Sequence, residues 1–170
     1  MAENATVPDP REAARRALEG ADWTAKRETE EKTKTAHEEL GKLNQRLTEI
    51  QSAKEKLELA WIELDGKKRT LRKLIAPFLE EEKKLEEAEA KLETEEAGTG
   101  VPESRHGVEL KRQAIQTERK TVEDKKWAEE AKVVEIDKQI EENTKKYRAL
   151  LAEEDAANAR LEQLKAEAPL

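Results

Sequence analysis

The chain has 170 residues, of which 43% are charged and only 3% are aromatic, and its net charge is −7. This composition leaves too little apolar material for a compact globular core and is typical of long amphipathic helices. The absence of cysteine excludes a disulfide framework and thiolate chemistry, and the negative net charge argues against a general phosphate-binding role.

The first residues lack periodicity, and a short helix is indicated after them. Asp9 is a favourable N-cap residue, Pro10 suits the first helical position, and Gly20 is a typical helix end. We therefore expect residues 1–21 to form a flexible tail and a short amphipathic helix. Asp22 is expected to cap the next helix. Because no apolar signal core or membrane-spanning run is visible, we expect a soluble, cytoplasmic protein without a membrane span.

Every seventh residue from Ala36 to Leu92 is apolar, in an unbroken series. The series reads Ala36, Leu43, Ile50, Leu57, Leu64, Leu71, Phe78, Leu85 and Leu92. A second, less regular line reads Leu40, Leu47, Lys54, Trp61, Lys68, Ile75, Glu82 and Glu89. This heptad pattern predicts a coiled-coil arm over residues 22–96. Gly66 and Pro77 lie inside the arm and do not shift the phase, so we expect no chain reversal at either residue.

Residues 97–107 contain three glycines and one proline and form the stretch with the strongest turn chemistry. We expect a loop there, with Pro102 or Ser104 opening the second helix. The repeat resumes in a second arm, residues 108–168. The predicted fold is therefore all-α, a long antiparallel coiled-coil helical hairpin with a short N-terminal helix. Each arm would extend about 100 Å at about 1.5 Å per residue.

Polar residues at core positions of the repeat favour one register. If the numbers of facing residues sum to about 197, Lys68 faces Glu129. A slip of one heptad would set Lys68 against Ile136 and Glu129 against Ile75. Because a lone charge in an apolar seam costs more than a paired one, Lys68 and Glu129 are predicted to be a register pair.

Six large apolar residues lie outside the repeat, near the middle of the arms. They are Leu59, Ile62, Leu74, Leu79, Trp127 and Val134. One interpretation is that Trp127 covers neighbouring lysine stems or a bend at Pro77. The favoured interpretation is a patch that binds another helix, from a protein partner, a second copy or the N-terminal helix of this chain, because tryptophan is enriched at interfaces.

A cluster of glutamates precedes the loop and forms a predicted acidic tip. It consists of Glu80, Glu81, Glu86, Glu87, Glu93, Glu95 and Glu96. The leading functional prediction is a structural protein, a spacer, scaffold or adaptor that acts through helix packing. An alternative is a chaperone-like or regulatory clamp whose acidic tip binds a basic partner. A nucleic-acid-associated arm using the basic run 67–73 is less favoured, because no aromatic residues are interleaved with it.

Catalytic motifs are absent from the sequence. His37 begins a pattern like that of a zinc protease helix, but Gly41 stands where the second histidine is required. His106 is isolated in the predicted loop, and no glycine-rich phosphate loop is present. We therefore expect no enzymatic activity, no cofactor or metal, and no small-molecule substrate.

Overall fold

Two long helices make up the part of the chain that the computed structural model describes, residues 9–167. α1 spans Pro10–Gly98 and α2 spans Pro102–Glu167. Contacts between them join low-numbered residues of α1 to high-numbered residues of α2, for example Glu58 to Tyr147 and Glu93 to Arg112. The helices therefore run antiparallel, and the predicted all-α hairpin is confirmed.

The start of α1 is capped as predicted. The Asp9 carboxylate accepts a hydrogen bond from the Arg11 amide at 2.9 Å, and the Asp9 carbonyl accepts from Glu12. The side-chain bond satisfies one of the amide donors that every helix N-terminus leaves without an intrahelical partner. Pro10 occupies the first helical position, where its missing N–H is not needed.

The predicted end of a separate N-terminal helix at Gly20 is wrong, because α1 continues through Gly20 and Asp22. The Gly20 carbonyl accepts a bond from the Thr24 hydroxyl within the helix. Glycine inside a helix costs only about 1 kcal/mol relative to alanine, and the strong helix formers on both sides outweigh that cost. Residues 10–35 are all exposed. The predicted tail 1–8 lies outside the described residues.

The helix also continues through Gly66 and Pro77, as predicted. Both residues are exposed. At Gly66 a side-chain Cβ would meet nothing within 4 Å, so its place in the helix is tolerated rather than required by packing. A proline at position 77 removes one backbone hydrogen bond, and the long helix absorbs that loss.

The connection between the helices covers only residues 99–101, which is shorter than the predicted loop 97–107. Pro102 opens α2, and the Val101 carbonyl accepts from the Arg105 amide at 3.0 Å. Residues 104–107 therefore belong to the first turns of α2. Proline at the first helical position favours this early start, and Gly107 does not prevent it.

The chain divides into two compact units. One contains residues 54–149, and its buried apolar residues are Leu64, Ile75, Val108, Val122 and Ile136. The other contains the described residues 9–53 and 150–167, and its buried residues are Ile50, Ala157, Leu161 and Leu164. All of these core residues occupy positions of the heptad repeat.

The second unit is held at its surface by two bidentate pairs. Arg46 binds both carboxylate oxygens of Glu153 at 2.6 and 3.0 Å, and Arg160 binds those of Glu39 at 2.7 and 3.1 Å. These bonds lower the pKa of Glu39 and Glu153 below their ordinary value. Bidentate geometry fixes the relative position of the paired side chains.

Candidate interaction surface

Side-chain contacts between the helices set the register in residues 54–149. The numbers of the paired residues sum to 205 or 208. The pairs are Lys68 with Asp137, Glu58 with Tyr147, Glu82 with Lys126, Glu86 and Glu89 with Arg119, Glu89 with Gln116, and Glu93 and Glu96 with Arg112. These sums fit a register in which level residues sum to about 204, because the paired side chains reach a few residues along the seam. The predicted register, with sums near 197, is therefore wrong by one heptad in this unit.

Lys68 and Glu129 consequently do not form the predicted register pair. The Lys68 ammonium binds the Asp137 carboxylate at the edge of the seam. Glu129 accepts a bond from Lys132 on its own helix at 2.9 Å, while its other carboxylate oxygen is buried without a partner. The prediction failed because the lysine stem is long enough to carry its charge past Ile136 to an acidic neighbour.

An acid–base ladder explains why the observed register is preferred. The cations of α2 at Arg112, Arg119 and Lys126 insert among glutamates of α1, with nitrogen–oxygen distances of 2.6 to 3.2 Å. In the predicted register Lys126 would lie seven residues further from the loop, beside Leu71 and Ile75 instead of Glu82. Lys126 would then be an unpaired cation among apolar residues, which costs more than the one unsatisfied oxygen of Glu129.

Two members of the ladder, Glu89 and Lys126, have shifted pKa values. Hydrogen bonds from Gln116 and Arg119 lower the pKa of Glu89, although burial acts in the opposite direction. The hydrogen bond to Glu82 raises the pKa of Lys126. Both shifts favour the charged forms of Glu89 and Lys126.

The ladder also changes the predicted acidic tip. Glu86, Glu93 and Glu96 pair with arginines of α2, whereas Glu80, Glu81, Glu87 and Glu95 are exposed. Residues 80–126 contain 14 acidic and 10 basic side chains, so this region has a net charge of −4 rather than the −7 of residues 80–103 alone. The tip is therefore less acidic than the sequence of α1 suggested.

The six predicted patch residues are all exposed, by 50% to 67%. Leu74 and Leu79 are five residues apart on α1, which places them about 140° apart around the helix. Leu74 therefore lies on the opposite flank from Leu79. Leu59 lies one turn before Ile62 and faces further outward.

The other four residues share one side of the hairpin. Ile62 lines a groove with Glu58 and Tyr147, and Trp127 lines a cleft of about 390 Å³ with Glu89 and Arg119. Glu58 and Glu86 are separated by four heptads and both reach across to α2, so the groove and the cleft lie on the same side. Leu79 is one heptad before Glu86, and Val134 is one heptad after Trp127. We call this set the apolar flank: Ile62, Leu79, Trp127 and Val134.

The groove contains an aromatic residue that the sequence placed in the core. Trp61 occupies a core position of the repeat and would be level with Ile136 in the predicted register, but its side chain is 48% exposed. In the observed register Trp61 lies level with Asn143, a small polar residue that cannot cover an indole. The resulting groove has a volume of about 420 Å³. Its lining residues are Leu57, Glu58, Trp61, Ile62, Asn143, Thr144 and Tyr147. The groove could be identified only once the register was known.

The residues considered for other chemistry are occupied in helix contacts. His37 Nδ1 lies 2.9 Å from the Thr33 carbonyl. In the basic run, Lys67 pairs with Glu63 and Arg69 pairs with Asp65. Within residues 9–167, no group of three or more metal-ligating side chains is found. Neither helix, over the same residues, has a stretch long and apolar enough to cross a bilayer.

Comparison with known proteins finds no matching family model, curated sequence or solved structure.

Proposed function

We propose that this chain is a non-enzymatic coiled-coil scaffold or adaptor that acts through helix packing on its apolar flank. The observation that carries the proposal is the exposure of four large apolar side chains on one side of residues 54–149. Ile62, Leu79, Trp127 and Val134 are exposed by 61%, 50%, 57% and 54%. Exposed apolar residues grouped in this way mark interaction sites more often than isolated ones do.

The arrangement of apolar side chains on the flank fits the binding of another helix. Its side chains lie in a row along the hairpin, and the groove beside Trp61 offers an apolar pocket within that row. A helix presents apolar side chains at intervals of three, four and seven residues, which can contact such a row. Tryptophan supplies a large contact area and is a frequent anchor in interfaces.

The two alternative functions have weaker support. A clamp for a basic partner would use the acidic tip, but three of its seven glutamates are engaged by arginines of α2. A nucleic-acid-binding arm would use the basic run 67–73, where Lys67, Lys68 and Arg69 are each paired with a carboxylate. A scaffold that binds through apolar contacts needs neither charge cluster.

The proposal is tested by comparing the wild-type chain with Trp127→Glu. A charge at the centre of the flank should abolish helix packing there, because an unpaired carboxylate would have to be desolvated. We expect the wild type either to associate in sedimentation equilibrium or to capture a partner in an affinity experiment, and Trp127→Glu to lose that interaction.

Leu74→Glu is the matched control, since Leu74 is equally exposed but lies on the opposite flank. It should keep the interaction. Equal loss in both variants, or a wild-type chain that neither associates nor binds through Trp127, would contradict the proposal.

A further inference from the structure

We propose that the apolar flank is covered by a second copy of this chain, lying side by side in the same direction, so that α1 of each copy packs against α2 of the other. This inference rests on the proposed function and specifies its partner. The levels of the apolar side chains along residues 54–149, and the charges beside them, specify this partner.

The pairs whose numbers sum to 205 place residues of α2 beside those of α1. Trp127 lies level with about residue 78, adjacent to Leu79, and Val134 lies level with about residue 71. Ile62 and Thr144 line one groove. The apolar residues therefore occupy three levels, at about 62, 71 and 78, separated by seven to nine residues or about 10 to 14 Å.

When a two-fold axis parallel to the helices relates the two copies, each level of one copy lies opposite the same level of the other. Leu79 then meets Trp127 of the other copy, and Trp127 meets Leu79 in return, as an isologous interface requires. Ile62 likewise reaches the groove beside Trp61 of the other copy. All neighbouring helices in the resulting four-helix arrangement are antiparallel, the favourable orientation for their dipoles.

Charges on the same flank are complementary in this arrangement. Arg72 lies at the level of Glu130, which corresponds to about residue 75 of α1. Neither side chain is in an ion pair among residues 9–167. Lys83 similarly lies at the level of Glu123. At the other end, Glu58 lies at the level of Arg148. Opposite charges at these three levels lie between the apolar contacts and on both sides of them, and they favour this alignment.

Two like-charged pairs also lie within two residues of a common level, Asp65 with Glu141 and Lys83 with Lys120. Lys120 is also level with Glu86, which offsets its repulsion from Lys83. Asp65 is already bound by Arg69 at 2.9 Å, and Glu141 by Lys145 at 3.2 Å, which reduces their repulsion. If the copies ran in opposite directions about Val134, by contrast, Arg69 and Arg72 of the two copies would face each other. The charges therefore favour copies that run in the same direction.

A charge swap between two separate chains tests this arrangement. Arg72→Glu alone places glutamate against Glu130 in both halves of the symmetric dimer, and Glu130→Arg alone places arginine against Arg72. Each variant should raise the dimer dissociation constant about tenfold in sedimentation equilibrium. An equimolar mixture of the two variants restores opposite charges at both contacts, so its dissociation constant should return to the wild-type value.

Lys67→Glu and Glu135→Arg are matched controls, since both residues are exposed. Lys67 lies one heptad before Leu74, on the opposite flank, and Glu135 is turned about 100° from Val134. Neither should change the dissociation constant. Circular dichroism of every variant verifies that the helices are intact.

Three results would overturn the inference. If the dissociation constant of the mixture stays above the wild-type value while Trp127→Glu still dissociates the dimer, the arrangement is wrong and the scaffold function stands. If the wild type is monomeric but captures a different protein through Trp127, the partner is not a second copy, and the adaptor function again stands. If the wild type is monomeric and no binding depends on Trp127, the inference and the proposed function both fail.

Discussion

The salt bridge between Lys126 and Glu82 gives the sharpest test of the observed register. The Lys126 ammonium lies 2.6 Å from the Glu82 carboxylate, and the two side chains are only 12% and 16% exposed. In a register one heptad away, Lys126 would face Leu71 and would not touch Glu82. The double-mutant cycle of Lys126→Met and Glu82→Gln therefore distinguishes the two registers.

The expected magnitude follows from the burial of the pair. A charge-assisted hydrogen bond contributes about 1.5–3 kcal/mol, and breaking a fully buried pair costs about 3–5 kcal/mol. Because both side chains retain some solvent contact, each single variant should lower the free energy of unfolding by about 2 kcal/mol. The double variant should lose little more, since neither charge then remains buried alone. The coupling energy should therefore be about 1–2 kcal/mol.

The assay is urea unfolding followed by far-ultraviolet circular dichroism, performed on the four proteins of the cycle at neutral pH. The exposed pair Lys145 and Glu141 is the control, since its side chains are 72% and 68% exposed and its coupling should be below about 0.5 kcal/mol. Additive effects of Lys126→Met and Glu82→Gln, with coupling no larger than in the control, would refute the register.

Two further predictions concern a helical glycine and the acid–base ladder. Gly66→Ala should raise the free energy of unfolding by about 0.5–1 kcal/mol, because alanine favours the helix and the added Cβ meets nothing within 4 Å; urea unfolding that shows a loss would mean that residue 66 is not in a regular helix. Gln116 and Arg119 lower the pKa of Glu89 in the folded chain. The ionised Glu89 therefore stabilises the fold above pH 4.5, its ordinary pKa, and this stabilisation is lost as the pH falls through the folded pKa. The wild type should thus be more stable than Glu89→Gln at pH 7, with the difference in unfolding free energy shrinking at acid pH, and a difference that stays constant would contradict the assigned bonds.

The apolar repeat was sufficient to predict the helices and their antiparallel pairing. Its phase persists across Gly66 and Pro77, and the structure has one helix there. The cap at Asp9 and the start of α2 at Pro102 were also predictable, since both depend on local backbone chemistry. The false helix end at Gly20 shows the limit of this approach, because a glycine ends a helix only where the flanking residues do not favour its continuation.

The exposed apolar residues were identified from the sequence, but their grouping was not. Heptad position distinguishes residues outside the core from those inside it. It does not show which residues of α2 lie beside a given residue of α1. Trp61 illustrates the consequence, since the incorrect partner Ile136 would have buried it, whereas Asn143 leaves it in an open groove.

The sequence by itself determined that this chain forms two long helices joined by a short turn, because heptad periodicity, capping and turn chemistry act over a few residues each. Only the tertiary structure decided the register, and with it the partner of Lys68, the partial neutralisation of the acidic tip and the position of the apolar flank. A heptad repeat looks nearly the same after a shift of seven residues. The choice between registers therefore depends on the summed energies of many cross-helix pairs, which long side chains such as lysine can alter by reaching past the seam.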